Sequence, residues 1–437
     1  MPKSKILTTK VITWALYDWA NSAFALSVLA VLFPLVLGNY WGAGDGGSAS
    51  TVRLGWITFS ASLVVFVSAP VLGAIADAGG YRKRFLMFFA VIGALATAGL
   101  GLVGEGGWPL ALGLYLIASI GYYSSIVFYD SLLIDVTEPR NFNFVSTLGF
   151  SVGYLGGAAL LALHLWMLKS PQTFGLASST EAFSYAFLSV GAWWLLFVLP
   201  LLVFVPEQQS STEVASHPIR AAYQELKSTI QKISQYRNVM IFLAAYWMYI
   251  GGVFTVIFMA VNYGQRLGFA DSDLVMALLI ANFVGFPATL IYGFLAHRFG
   301  ARKGIYAALF AYIGACIWAI QMTEVREFFI MSIVIGAVQG GVQGLSRSLY
   351  ATLIPAEQPG EFFGFYSMTT KFAHVLGPAM VAVAAILSDD PKWVLLSLMP
   401  MFLAGGFLLA LVRMPAAELA PGPDGAPSGV RDQDESV

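Results

Sequence analysis

Gly73-Ala-Ile-Ala-Asp77-Ala-Gly-Gly80-Tyr-Arg82-Lys83-Arg84 follows one long apolar run and precedes another. The arrangement returns as Gly293-Phe-Leu-Ala-His297-Arg298-Phe-Gly300-Ala-Arg302-Lys303, again between two apolar runs. A short charged turn at the same place in each half of a chain points to a duplicated helical bundle. Two parallel six-helix repeats, related by an axis along the membrane normal, give such a pattern.

Composition agrees. The 437 residues are 58% hydrophobic and 11% charged, and mean hydropathy is +0.74. Soluble domains carry about 25% charged residues, so most of this chain must face lipid or other buried helices. A net charge of −1 argues against nucleic acid as a partner. Cys316 is the single cysteine, which excludes an internal disulfide and a thiolate cluster. It reads as a small buried hydrophobe. The first apolar run, from about Val11, is too long for the core of a cleavable signal peptide.

About twelve runs reach the roughly 20 residues needed to span a bilayer. They lie near 11–38, 54–76, 85–104, 108–136, 145–168, 183–205, 237–263, 273–296, 303–322, 328–354, 363–388 and 392–412. In lipid each backbone amide needs an internal partner, so the runs must be helices. Among Lys and Arg, only Arg53, Lys169, Arg266, Arg326 and Lys392 fall on one side, and Arg347 and Lys371 fall within helices. The others share the opposite side, which the positive-inside bias makes cytoplasmic, together with both termini. The expected domains are a six-helix bundle over 1–205, a linker over 206–236, a second bundle over 237–413 and a disordered tail over 414–437. Within the linker, Leu226, Ile230 and Ile233 fall at helical spacing and predict an amphipathic helix on the membrane surface.

The two turns resemble the loop motif of the major facilitator superfamily. Gly73 permits close helix approach, and Asp77 can cap a facing helix N-terminus. Arg82 and Arg84 are expected to pair with Asp135 and Glu138. His297 replaces the aspartate in the second copy and predicts a weaker or pH-sensitive latch. Topogenic charge alone is the competing reading.

A narrower resemblance rests on Tyr17-Asp18-Trp19-Ala20-Asn21-Ser22-Ala23-Phe24 and on Gly340-Gly341-Val342-Gln343-Gly344-Leu345-Ser346-Arg347-Ser348-Leu349-Tyr350. Leu353-Ile354-Pro355, Glu361-Phe362-Phe363-Gly364-Phe365-Tyr366-Ser367, Lys371-Phe372 and Gly377-Pro378 extend it. These strings resemble the branch that holds the fungal vacuolar effluxers linked to autophagy and their bacterial relatives. The resemblance implies an all-α major facilitator fold and efflux of small solutes, with amino acids the known class for the fungal members.

Ionisable groups at membrane depth are costly and usually functional. Asp18 is about two turns into the first helix and reads as a proton-coupling carboxylate, a contact for a substrate amine, or a structural acid. Asn21 shares its face, and Tyr17 lies beside Asn21. Gln339, Gln343 and Arg347 form one stripe on the tenth helix, where amides and a guanidinium suit a zwitterion. Ser367, Thr370, Lys371 and His374 occupy the eleventh helix, and Tyr246 the seventh. Aligning the halves sets Asp130-Ser131-Leu132 against Arg347-Ser348-Leu349. Asp130 is therefore expected to meet Arg347 or Lys371 when the cytoplasmic side is closed. That pair is a gate or a static bridge; direct substrate binding by Arg347 is the third reading. Gly149, Gly153, Gly156 and Gly157 read as helix packing with weak support for export. His164 reads as a satisfied histidine. Asn282, Gly285 and Pro287 suggest a flexed eighth helix.

The sequence holds none of the nucleotide-cradling, zinc-protease or nucleophile-elbow motifs, so an enzyme is not expected. The expectation is an alternating-access transporter, a monomer in a bacterial inner membrane, with a small-molecule substrate, a proton or sodium as coupling ion, and no cofactor. Coupling falls to Asp18. Substrate contacts fall to Tyr17, Asn21, Gln339, Gln343, Arg347, Lys371, His374 and Tyr246. Gating falls to Asp77, Arg82, Arg84, Asp130, Asp135, Arg347 and Lys371. Export of drugs or lipids, or a receptor without transport, are the alternatives.

Overall fold

The computed structural model describes residues 6–42, 47–207, 233–387 and 396–414. The tail and most of the expected linker helix lie outside these residues; the short turn Ile233–Tyr236 lies within them. Among the described residues every regular element is helical. The first half comprises α1 (Thr9–Val36), α2 (Gly47–Gly79), α3 (Arg82–Leu100), α4 (Trp108–Ser131), α5 (Phe142–Lys169) and α6 (Ser179–Phe204). The second comprises α7 (Arg237–Arg266), α8 (Asp271–Phe299), α9 (Ala301–Ala319), α10 (Val325–Leu353), α11 (Pro359–Leu387) and α12 (Met399–Leu411).

Among the described residues, nine helical stretches are long and apolar enough to cross a bilayer. Large apolar side chains such as Trp56, Phe88, Leu102 and Phe407 face outward, while Asp18, Asp130, Arg347 and Lys371 are buried. This inverts the soluble pattern and makes the chain a multi-pass membrane protein. The halves repeat their packing. In the first, α1 packs on α5 and α6, and α4 on α2 and α3; in the second, α7 packs on α11 and α12, and α10 on α8 and α9.

The charged turns are built alike. Gly80 has φ +65° and Gly300 has φ +86°, a region that L side chains rarely adopt, and a helix begins within two residues of each. Short loops bring these turns, the end of α4, the starts of α5 and α11, and the ends of α6 and α12 to one end of the bundle, here called the basic end. Lys83 Nζ reaches the Leu202 and Val205 carbonyls at 3.1 and 2.9 Å and closes the end of α6. In the second half Arg302 donates to the Val412 carbonyl beyond α12.

The halves meet along two seams, α2 on α11 and α5 on α8 and α10. Both need small residues. A Cβ on Gly73 would strike the Gly360 carbonyl, and one on Gly293 would strike Thr147. α1 is irregular: Phe24–Leu32 is π-helical, and the Phe33 amide bonds to the Val28 carbonyl five residues back.

Candidate functional site

Arg347 enters the first half from the last third of α10. Its Nη1 donates to Asp130 Oδ1 at 2.7 Å, its Nε to Ser146 Oγ at 2.8 Å and its Nη2 to the Ser146 carbonyl at 2.8 Å. Nη2 also lies 3.6 Å from Asp18 Oδ2. Asp18 accepts a 2.9 Å hydrogen bond from Tyr129 OH. Ser146 Oγ donates to the Gly344 carbonyl at 2.7 Å, so α5 and α10 are bonded in both directions. The guanidinium is capped by the rings of Phe150, Trp14 and Tyr129, at 4.2, 4.9 and 5.3 Å from their centroids. Its planar fork suits this many directed bonds.

Local sequence explains the convergence. Trp14 lies one turn before Asp18 and donates from Nε1 to the Tyr129 carbonyl at 3.0 Å, which holds α1 on α4. Gly149 leaves the space that Tyr129 OH and Asp18 Oδ2 occupy. Gly153 and Gly156 likewise admit Ser22 and Trp19, so the glycine string of α5 packs α1.

Two carboxylates share one guanidinium. With both ionised the cluster carries one uncompensated negative charge in a region shielded from water. An unpaired buried charge costs several kcal/mol. Asp130 holds the direct bond and Asp18 the longer contact.

The other predicted residues spread around this centre. Tyr17 packs its ring 5.1 Å from that of Tyr129. Its side chain and that of Asn21 are buried. Gln343 Nε2 donates to Tyr154 OH at 3.1 Å across the second seam, while Gln339 is buried beside it on α10. Tyr246 stacks on Tyr366 at 4.4 Å and accepts from Thr370 at 3.3 Å. Lys371 Nζ lies 2.8 Å from the Tyr123 ring centroid; Arg347 alone meets Asp130. His374 is in α11, with its side chain outside the described residues. Asn282 Nδ2 donates to its own helix at Leu278.

The other gating candidates, Asp77, Arg82, Arg84 and Asp135, sit at the basic end. Asp77 Oδ1 and Oδ2 accept from the Gly360 and Glu361 amides at 3.0 and 2.8 Å, capping α11. Arg82 lies 3.5 Å from Asp77 and 2.8 Å from Asp135. Burial raises the Asp135 pKa, and the Arg82 guanidinium opposes that shift. Arg84 turns instead to Glu207, at 3.4 Å, and Glu138 to Arg140, at 2.8 Å, because the loop after α4 leads Glu138 away from α3. His297 is exposed.

Sequence reasoning missed the roles of Ser146, Tyr154 and Trp14 here; only Trp14, one turn from Asp18, carried a signal. His164 is satisfied by Ser27 at 3.1 Å and Ser189 at 2.8 Å. An apolar groove of about 360 Å³ lies elsewhere, between α2, α7 and α11, lined by Phe66, Leu243, Trp247, Phe365 and Phe372 among others. It offers little to read a polar solute.

The sequence profile of the family described as "Vacuole effluxer Atg22 like" matches residues 46–419. The uncharacterized MFS-type transporter YxiO of Bacillus subtilis is 35% identical over 93% of this chain and 96% of its own. Autophagy-related protein 22 of Eremothecium gossypii is 22% identical over 85% and 84%. Among solved structures, the proton:xylose symporter XylE bound to 6-bromo-6-deoxy-D-glucose superposes with TM-score 0.70, 14% identity and coverage of 92% and 94%. FucP in the outward conformation gives TM-score 0.70, 13% identity and coverage of 94% and 100%. With a duplicated helical bundle already in view, these likenesses decide the family: the chain is a transporter of the major facilitator superfamily and belongs to its Atg22-like branch.

Proposed function

We propose that the chain is a secondary transporter that works by alternating access and exports amino acids or similar small polar metabolites in exchange for protons. The observation that carries this reading is the Asp18–Arg347–Asp130 cluster. Both acids belong to the first half and the guanidinium to the second. Rocking the halves apart at the basic end withdraws Arg347 from both acids. The charge balance of Asp18 and Asp130 is thereby tied to which side is open, as a coupled carrier requires. The basic end is cytoplasmic in this reading, with both termini there, and the working unit is a monomer in a bacterial inner membrane. The Atg22-like family description supports efflux as the direction.

The test is transport into liposomes of reconstituted protein, using labelled amino acids with and without a pH gradient. Movement driven by the gradient and lost in Asp18→Asn is the expected result. Movement driven by a sodium gradient alone would replace the coupling ion. No movement of any amino acid by folded protein would remove the substrate class.

A further inference from the structure

Lys371 differs from Arg347 in what surrounds it. It lies on α11 against α4 and is 5% exposed. Its ammonium rests on the face of Tyr123. Among the described residues it pairs with no carboxylate, whereas Arg347 has two within 4 Å. The neighbouring patch around Tyr123 is apolar: Val65 and Ala69 from α2, Ile120 and Val127 from α4. The adjacent Thr370 is turned to Tyr246 and its own helix.

A buried ammonium costs several kcal/mol. A desolvated cation–π contact returns about 2 kcal/mol, so the ring alone leaves the charge undercompensated. A static lysine could be a leucine here at lower cost. The geometry instead suits a cation held on an aromatic face until an anion arrives. Tyr123 and Tyr129 stand six residues apart on α4, about 9 Å along the axis. The Lys371 site is thus separate from the cluster that Tyr129 joins. Arg347, the other guanidinium or ammonium at membrane depth, is already engaged by Asp130, Asp18 and Ser146.

We propose that Lys371 is the anion-recognition point for the transported solute. Its ammonium leaves the Tyr123 ring to hold a carboxylate of that solute. This rests on the solute-transport reading above and narrows the substrate class to molecules that carry a carboxylate. Sugars and purely cationic solutes are excluded as good substrates.

The test compares thermal stabilisation of the purified full-length protein by three probes: leucine, leucinamide and 4-methyl-2-oxopentanoate. They share a side chain and differ in the anion and the amine. Lys371→Gln and Lys371→Arg are measured beside the wild type. Lys371→Gln removes a costly buried charge, so it should fold. The expected result is stabilisation by a carboxylate probe and not by the amide. Lys371→Gln should weaken that probe at least tenfold, and Lys371→Arg should retain it in part. If the oxo acid binds through Lys371 and leucine does not, the anion site stands and the amino-acid reading falls. Equal binding of carboxylates by Lys371→Gln and wild type overturns the proposal. Binding of the amide alone, or of no carboxylate, also overturns it.

Discussion

The two seams between the halves are fastened differently. On the α2–α11 seam the charged turn itself is the fastener: Asp77 caps α11 with both oxygens and is braced by Arg82, which also reaches Asp135. On the α5–α8 and α5–α10 seam the equivalent turn offers His297, which is exposed, and Thr352 stands where the repeat would place Asp135. With both acids gone, Arg302 is released to the carbonyl beyond α12, the task that Lys83 performs in the first half. Fastening moves inward instead, to Arg347 on Asp130 and Ser146, and to Ser151 Oγ on the Phe286 carbonyl at 2.6 Å. A repeat can keep its backbone turn and lose its chemistry, provided the partner helices acquire bonds elsewhere. One seam thus closes at the water's edge, and the other at membrane depth where the proposed proton site lies.

The largest expected effect comes from breaking the inner fastener. Arg347→Gln should destabilise the protein by about 3–5 kcal/mol, the usual cost of stripping a buried charge of its partner, read as a fall in unfolding temperature. A drop within measurement error would mean that packing alone holds the second seam. Breaking the outer fastener should cost less. Asp77→Ala removes the cap from the start of α11, a loss of about 0.5–2 kcal/mol. Cysteines placed on the α2–α11 seam should then become accessible from the basic end; unchanged labelling would reduce the cap to decoration. Making the turns alike should sharpen the comparison. In His297→Asp a carboxylate arrives near the start of α5, and a gain of about 0.3–1 kcal/mol is expected from the helix dipole, seen as a higher unfolding temperature. The smallest effect concerns Asp135. Its folded pKa is raised by burial against the opposing pull of Arg82, so its contribution is full below the ordinary carboxylate value and fades as pH rises through the folded value. Asp135→Asn should flatten that part of the stability–pH curve, and a curve of unchanged slope would refute the assignment.

Much of this was legible in the sequence because the repeat could be read against itself. The turn offset set Asp77 against His297, and the helix offset set Asp130 against Arg347. The cap on α11 and the Arg82–Asp135 pair follow from charge type and loop position. Other features needed three dimensions. Nothing in one dimension places Asp18 on the guanidinium that Asp130 already holds, because α1 reaches it only through the glycine face of α5. Arg84 went to Glu207 because α3 begins where α6 ends, a proximity that no spacing encodes. Ser146 gave no signal, since a serine in an apolar helix is common. The π-helical stretch of α1 was equally invisible, because its composition is that of any apolar helix.

That stretch gives α1 slack in chain length. A helix bonded five residues back packs more residues into the same height than one bonded four back. Deleting one residue within Phe24–Leu32 can therefore be absorbed by a return to ordinary bonding, with Asp18 left in register. The same deletion between Thr9 and Ala23 has no such reserve and would turn the preceding face by about 100°. The first helix should thus accept a shortened chain on one side of Ala23 and refuse it on the other.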